Sequence, residues 1–175
     1  MPAAIAFSDD EFSHRLTASN LKGIVRTLAR DRWTADILRR LKTLRPDAAP
    51  RWGRMSAHQM VCHLADGCRM ALGEKVVRDA SPRFPVLVRW IALYTPLRWR
   101  AGIPTTPEID QERDGTRPHD FAADVAQVER LVRAMVARPR GHAWPRHPYF
   151  GRMSRRAWLR WGYVHTDHHL RQFGA

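Results

Sequence analysis

The stretch Ser154-Arg-Arg-Ala-Trp-Leu-Arg-Trp-Gly-Tyr-Val-His-Thr-Asp-His-His-Leu-Arg-Gln-Phe173 decides how this chain folds. Ser154 is a helix N-cap by residue type, because its hydroxyl can accept from an otherwise unpaired amide of the first turn. Behind it Trp158, Leu159, Trp161, Tyr163, His165, His169 and Phe173 continue a helix to the chain end. His165 and His169 are four apart, so at ~100° per residue their imidazoles lie ~40° apart, one turn above the other. Two stacked neutral imidazoles are half of a transition-metal site. His168 competes with His169, since an i,i+3 pairing with His165 also places two rings together. Asp167 points ~160° away from His165 and is a poorer ligand candidate.

A third ligand is found by working toward the N-terminus. Ser56 with Gln59 three residues on forms a capping box, and the helix they open runs to about Leu72, where Gly73 stops it. Met60, His63, Leu64 and Gly67 share one face of that helix, with Met70 and Ala71 close to it. A histidine among such neighbours needs a polar reason, which makes His63 the best third ligand. Three protein ligands with an open position characterise catalytic metal sites, whereas structural zinc is closed with four. Gln59 and Gln172, each about one turn from a candidate histidine, are candidates to hydrogen-bond an imidazole and set its tautomer. His147, just before Pro148 in a loop, is placed at the mouth of the pocket. His58 lies ~140° around the helix from His63 and reads as a capping or surface group, and Cys62 as core packing.

Two further helices complete the pattern. One, capped by Asp31 and running to about Leu44, carries Trp33, Ile37, Leu38, Leu41 and Leu44. The other runs from Asp120 to about Arg138 with Phe121, Val125, Val128, Leu131, Val132 and Met135 at helical spacing. Residues 81–101, Pro-bounded and Trp-rich, predict a short extra helix; residues 102–118 and 139–151 read as loops. No segment alternates as a strand. The expected fold is all-α, a four-helix bundle with a long crossover connection over residues 73–119 and an extra short helix. Residues 1–30 read as a loose arm, with a short helix over 21–30, and residues 31–175 as the bundle domain.

Composition narrows the function. At 175 residues the chain can bury roughly 70% of its unfolded surface without staples. Cys62 and Cys68 form no paired framework, and the N-terminus lacks a basic and apolar leader, so a reduced cytoplasmic setting is expected. The longest apolar run, Pro85 to Tyr94, is broken by Arg89 and is too short to span a bilayer. Net charge is +13, but only Lys22, Lys42 and Lys75 among the thirty basic residues are lysines, and the arginines are spread along the chain. No tract or nucleic-acid motif concentrates that charge, so specific nucleic-acid binding is not expected. There is no GxGxxG, P-loop, GxSxG or HExxH, and no carboxylate pair on an apolar face.

Trp52-Gly-Arg-Met-Ser-Ala-His-Gln-Met-Val-Cys-His-Leu64, His147-Pro-Tyr-Phe-Gly151 and His165-Thr-Asp-His-His-Leu-Arg-Gln-Phe173 resemble the DinB/YfiT-like metal-binding superfamily. The nearest likeness is to a bacterial branch known as a domain of unknown function with the H-x-D-H-H-L-R-Q-F motif. The resemblance implies a bundle holding a divalent metal (zinc, nickel, iron or manganese) on His63, His165 and His169. It further implies relatives that transfer low-molecular-weight thiols to small-molecule substrates. A metal-dependent thiol S-transferase or hydrolase is therefore one expectation, and a non-catalytic metal- or ligand-binding, stress-related protein the other. Exposed apolar faces are compatible with a homodimer.

Overall fold

A computed structural model describes residues 25–175. The expectation of a loose arm falls largely on residues outside this range. Residues 25–30 form an irregular turn rather than the end of a helix. The turn is anchored by Leu28, which is buried and whose N–H donates to the Leu159 carbonyl at 3.1 Å. A Cβ on Gly162 would sit 2.8 Å from the Leu28 side chain, so glycine there admits the turn against the last helix.

Helix α1 spans Asp31–Lys42 and α2 Ala57–Leu72. Short α3 spans Pro85–Tyr94, α4 Phe121–Ala137 and α5 Arg155–Gln172. In α1 the expected cap shifts by one residue: Arg30 is the N-cap, and Asp31 lies in the first turn, where its carboxylate faces the positive helix end. The helix also stops two residues short of Leu44, which is nonetheless buried. The capping box of α2 forms as read, with Ser56 Oγ accepting from Gln59 N at 3.1 Å and Gln59 Oε1 from Ser56 N at 2.8 Å. Gly73 ends the helix in the left-handed conformation at φ 79°. Asp120 and Ser154 cap α4 and α5 through bonds from Ala123 N and Ala157 N.

Helix α2 is buried on nearly every side and is the centre of the bundle. It packs along α4 and against α5, while α1 packs on α5 and α4 to close the four-helix arrangement. The core joins Ile37 and Leu41 of α1, Met60 and Leu64 of α2, Val128 and Met135 of α4, and Trp158 and Leu159 of α5. Among the described residues the fold is all-α apart from one two-residue antiparallel ladder, Arg146–His147 with Gly151–Arg152, too short for alternation to be visible in sequence.

The crossover between α2 and α4 is held from beneath by Asp66, a fully buried α2 residue. Its carboxylate accepts from Thr116 N at 2.8 Å, Thr116 Oγ1 at 2.6 Å and Gln111 Nε2 at 3.1 Å. Lys75 Nζ at 3.0 Å and Arg69 at 3.2 Å balance its charge. This anchorage turns a long loop into a wall of the site, because it carries Ile109 to the edge of α2.

Candidate metal centre

Helices α2 and α5 bring His63, His165 and His169 into one buried cluster whose ligand atoms all lie within 4.8 Å of one another. Each ring is oriented by a different part of the fold. His63 Nδ1 lies 2.7 Å from the carbonyl oxygen of Ile109, in the short 3₁₀ turn Pro107–Ile109 of the crossover. A carbonyl only accepts, so Nδ1 carries the hydrogen and Nε2 of the neutral ring keeps its lone pair. His169 Nδ1 lies 2.9 Å from Gln172 Oε1. The Gln172 amide nitrogen donates to the Trp52 carbonyl at 2.7 Å, which settles which end of the amide faces the imidazole. His169 Nδ1 is therefore also the protonated nitrogen, and its Nε2 also keeps a lone pair.

Gly53 makes that arrangement possible. It sits at φ 79°, and a Cβ there would lie 2.8 Å from the Gln172 amide nitrogen. His165 is held by packing: its ring stacks on Trp161, with centroids 4.7 Å apart at 14°, and lies against Gly67, where a Cβ would approach Cε1 to 3.1 Å. Its Nε2 is 3.0 Å from His63 Nε2. Burial holds all three imidazoles below the ordinary histidine range, His165 and His169 well below it, and repulsion from neighbouring histidines adds to the effect at His165 and His169.

This donor set fits a divalent transition metal. Two carbonyl oxygens, one reaching through a glutamine, aim two lone pairs into one small volume, and a third imidazole closes on them. Uncompensated lone pairs facing each other repel, whereas a divalent cation accepts all three. Neutral nitrogen donors without carboxylates select transition metals over calcium or magnesium.

The remaining sequence-derived candidates separate. His169, and not His168, meets His63. His168 is nearly buried between the rings of Trp52 and Trp99, and its Nδ1 has no hydrogen-bond partner. Burial pushes it down to about 4. Gln172 Oε1 lies against His169 Nδ1, whereas the Gln59 side-chain oxygen is taken up by the capping box. His147 is not at the mouth. It lies behind Trp161, stacked on Phe150 at 4.5 Å, and its Nδ1 accepts from the Tyr149 and Phe150 amides. His58 is neither a cap nor a surface group: its Nε2 pairs with Asp124 Oδ2 of α4 at 2.7 Å, and Cys62 Sγ stands 3.6 Å from the same oxygen. That group joins α2 to α4 on the side away from the site.

Sequence reasoning missed Trp99. It follows α3, donates its indole N–H to the Ala92 carbonyl at 2.8 Å, and places its ring beside His165 and His168 at 6.2 and 5.9 Å. Its only signal was its place in a Trp-rich insertion.

Burial of neutral histidines has a measurable consequence. His147, pushed down to about 3, and His168, down to about 4, stay neutral in the fold while the unfolded chain protonates near pH 6.5. Unfolding then takes up protons, so stability falls as pH drops below 6.5, and the loss from these groups is complete only below their folded values. Each such histidine contributes a slope of up to about 1.4 kcal/mol per pH unit. Urea midpoints measured between pH 7 and pH 4 are expected to decline, and less steeply in His147→Phe than in the native chain.

The sequence profile of the DinB superfamily matches residues 26–173. No curated protein and no solved structure shows a significant match.

Proposed function

The chain belongs to the DinB superfamily, and from that premise we propose that it is a metal-dependent enzyme acting on a small molecule together with a low-molecular-weight thiol. His63, His165 and His169 would hold a divalent transition metal through their Nε2 atoms. The observation that carries this reading is the double tautomer control, with the Ile109 carbonyl and Gln172 each fixing a proton on Nδ1 and leaving Nε2 free. A divalent cation bound there supplies positive charge that lowers the pKa of a thiol or water brought to it.

The surroundings favour a thiol over water activated for hydrolysis. The histidine rings lie against a backbone carbonyl, a glutamine amide and one another, and no carboxylate is among those partners. A hydrolase would need a general base at the cluster. A thiol bound to a divalent cation is acidic enough to ionise at neutral pH and needs no such base. Trp52 and Trp99 flank His168 with apolar surface that limits water.

Metal analysis of the purified chain and titration with Zn²⁺, Ni²⁺ and Mn²⁺ test the first step; the expected result is one tightly bound ion per chain. Thiol consumption with an electrophilic aryl halide, across a panel of small thiols, tests the second. Failure to take up any of these ions would refute the site. Stoichiometric metal without turnover on the panel would leave a metal-binding protein that is not a thiol transferase.

A further inference from the structure

Helix α3 is inverted. Its inward side carries Pro85, Arg89 and Ala92 with only Leu93 fully buried, while Val86, Leu87, Trp90, Ile91 and Tyr94 face outward. Such a helix normally turns its apolar stripe to the core. Among the described residues, every large apolar side chain that is exposed lies between Val76 and Ile103. Trp90 is 57% exposed, Phe84 61% and Leu97 65%. Most of these exposed side chains lie on α3 or within a few residues of its ends and make an apolar ridge there.

Along α3 and the segments directly flanking it the charge has one sign. Residues 80–107 contain Arg83, Arg89, Arg98 and Arg100 and no aspartate or glutamate. Arg83, Arg98 and Arg100 are exposed at the two ends of the helix, and Arg89 donates to the Arg152 carbonyl at its side. The helix is tied down beneath: Arg160 Nε donates to the Leu93 carbonyl at 2.7 Å, and Trp99 holds the Ala92 carbonyl. It is therefore presented as a fixed surface feature.

We propose that this ridge docks the protein on an anionic lipid surface, with α3 lying in the plane of the interface. An outward apolar face with Trp and Tyr, flanked by arginines, matches the pattern of interfacial helices, whose apolar side chains enter the headgroup boundary while cations meet acidic headgroups. Charge complementarity selects this occupant. A second copy would bring the same four arginines against their equivalents across a two-fold axis. No described helix is long and apolar enough to cross a membrane, so the contact is peripheral. This inference does not depend on the metal or on the reaction. Trp99, which follows α3, joins the ridge to the histidine cluster, its ring beside His165 and His168.

Flotation of the full chain with phosphatidylcholine vesicles, with and without phosphatidylglycerol, tests the proposal. Binding is expected only to the anionic vesicles and is expected to weaken as salt rises. The decisive variant is Trp90→Ser with Ile91→Ser, which keeps every charge and alters only exposed side chains; circular dichroism checks its fold. It is expected to bind at least ~10-fold more weakly, because interfacial affinity scales with buried apolar area. Arg98→Glu with Arg100→Glu is expected to weaken binding similarly. Unchanged binding by the Trp90/Ile91 variant would reduce the effect to the general attraction of a chain of net charge +13 and overturn the proposal. So would absence of binding by the native chain, or a native dimer in sedimentation that the same variant converts to monomer.

Discussion

His63→Ala and His169→Ala are each expected to lower zinc affinity by at least ~100-fold while leaving the helical content unchanged, since a direct ligand should cost at least as much as the outer-shell partner of a ligand. Each substitution deletes one of the lone pairs that the fold has aimed, and leaves two imidazoles that cannot hold a divalent ion as tightly. Folding should survive because burying an imidazole has its own cost, which the truncation removes along with the contact. Gln172 provides the graded comparison. Gln172→Ala leaves all three ligands but frees the His169 ring, and a loss of about 10- to 100-fold is expected. Gln172→Glu keeps an acceptor for His169 Nδ1 but cannot donate to the Trp52 carbonyl, and should fall between. Competition against a chromogenic chelator measures all four, and equal affinity of native chain and His63→Ala would remove the three-histidine site.

Asp66→Ala is expected to cost about 3 kcal/mol of unfolding free energy, as removal of one partner from a buried charge group does. Its carboxylate is the common acceptor for Lys75, Arg69, Thr116 and Gln111. The damage should also travel. The same loop presents the Ile109 carbonyl to His63 Nδ1, so a loosened crossover releases one of the two tautomer controls. Asp66→Ala should therefore weaken metal binding without touching a ligand. Asp66→Asn keeps an acceptor for the Thr116 amide and should lose less of both. Urea unfolding gives the first quantity and chelator competition the second; a stable Asp66→Ala chain would show that the crossover is held by its other contacts.

The features legible in the sequence were those with short-range causes. Ser56, Gly73, Asp120 and Ser154 mark helix ends because capping is settled within one turn. The spacing of His165 and His169 needed only helical periodicity. Two readings failed because one local cause displaced another. Gln59 has one amide, and the capping box took it before any histidine could. Asp31 was displaced by one residue because its value in the first turn does not require it to be the cap.

What was not legible depended on contacts between segments far apart in the chain. Trp99, His147 and the His58–Asp124 pair acquire their surroundings from loops and helices that no period relates. The outward apolar face of α3 was visible as an apolar run, but its direction was not. The sequence by itself determined a helical bundle with capped amphipathic helices and a pair of imidazoles one turn apart, because hydrogen bonding and side-chain periodicity act over a few residues. Only the tertiary structure decided that His63 joins His165 and His169, that two carbonyl oxygens aim their lone pairs, and that Trp99 stands beside them. Those outcomes rest on the packing of α2 against α5 and on a crossover pinned by Asp66, and such long-range contacts leave no periodic trace in the chain.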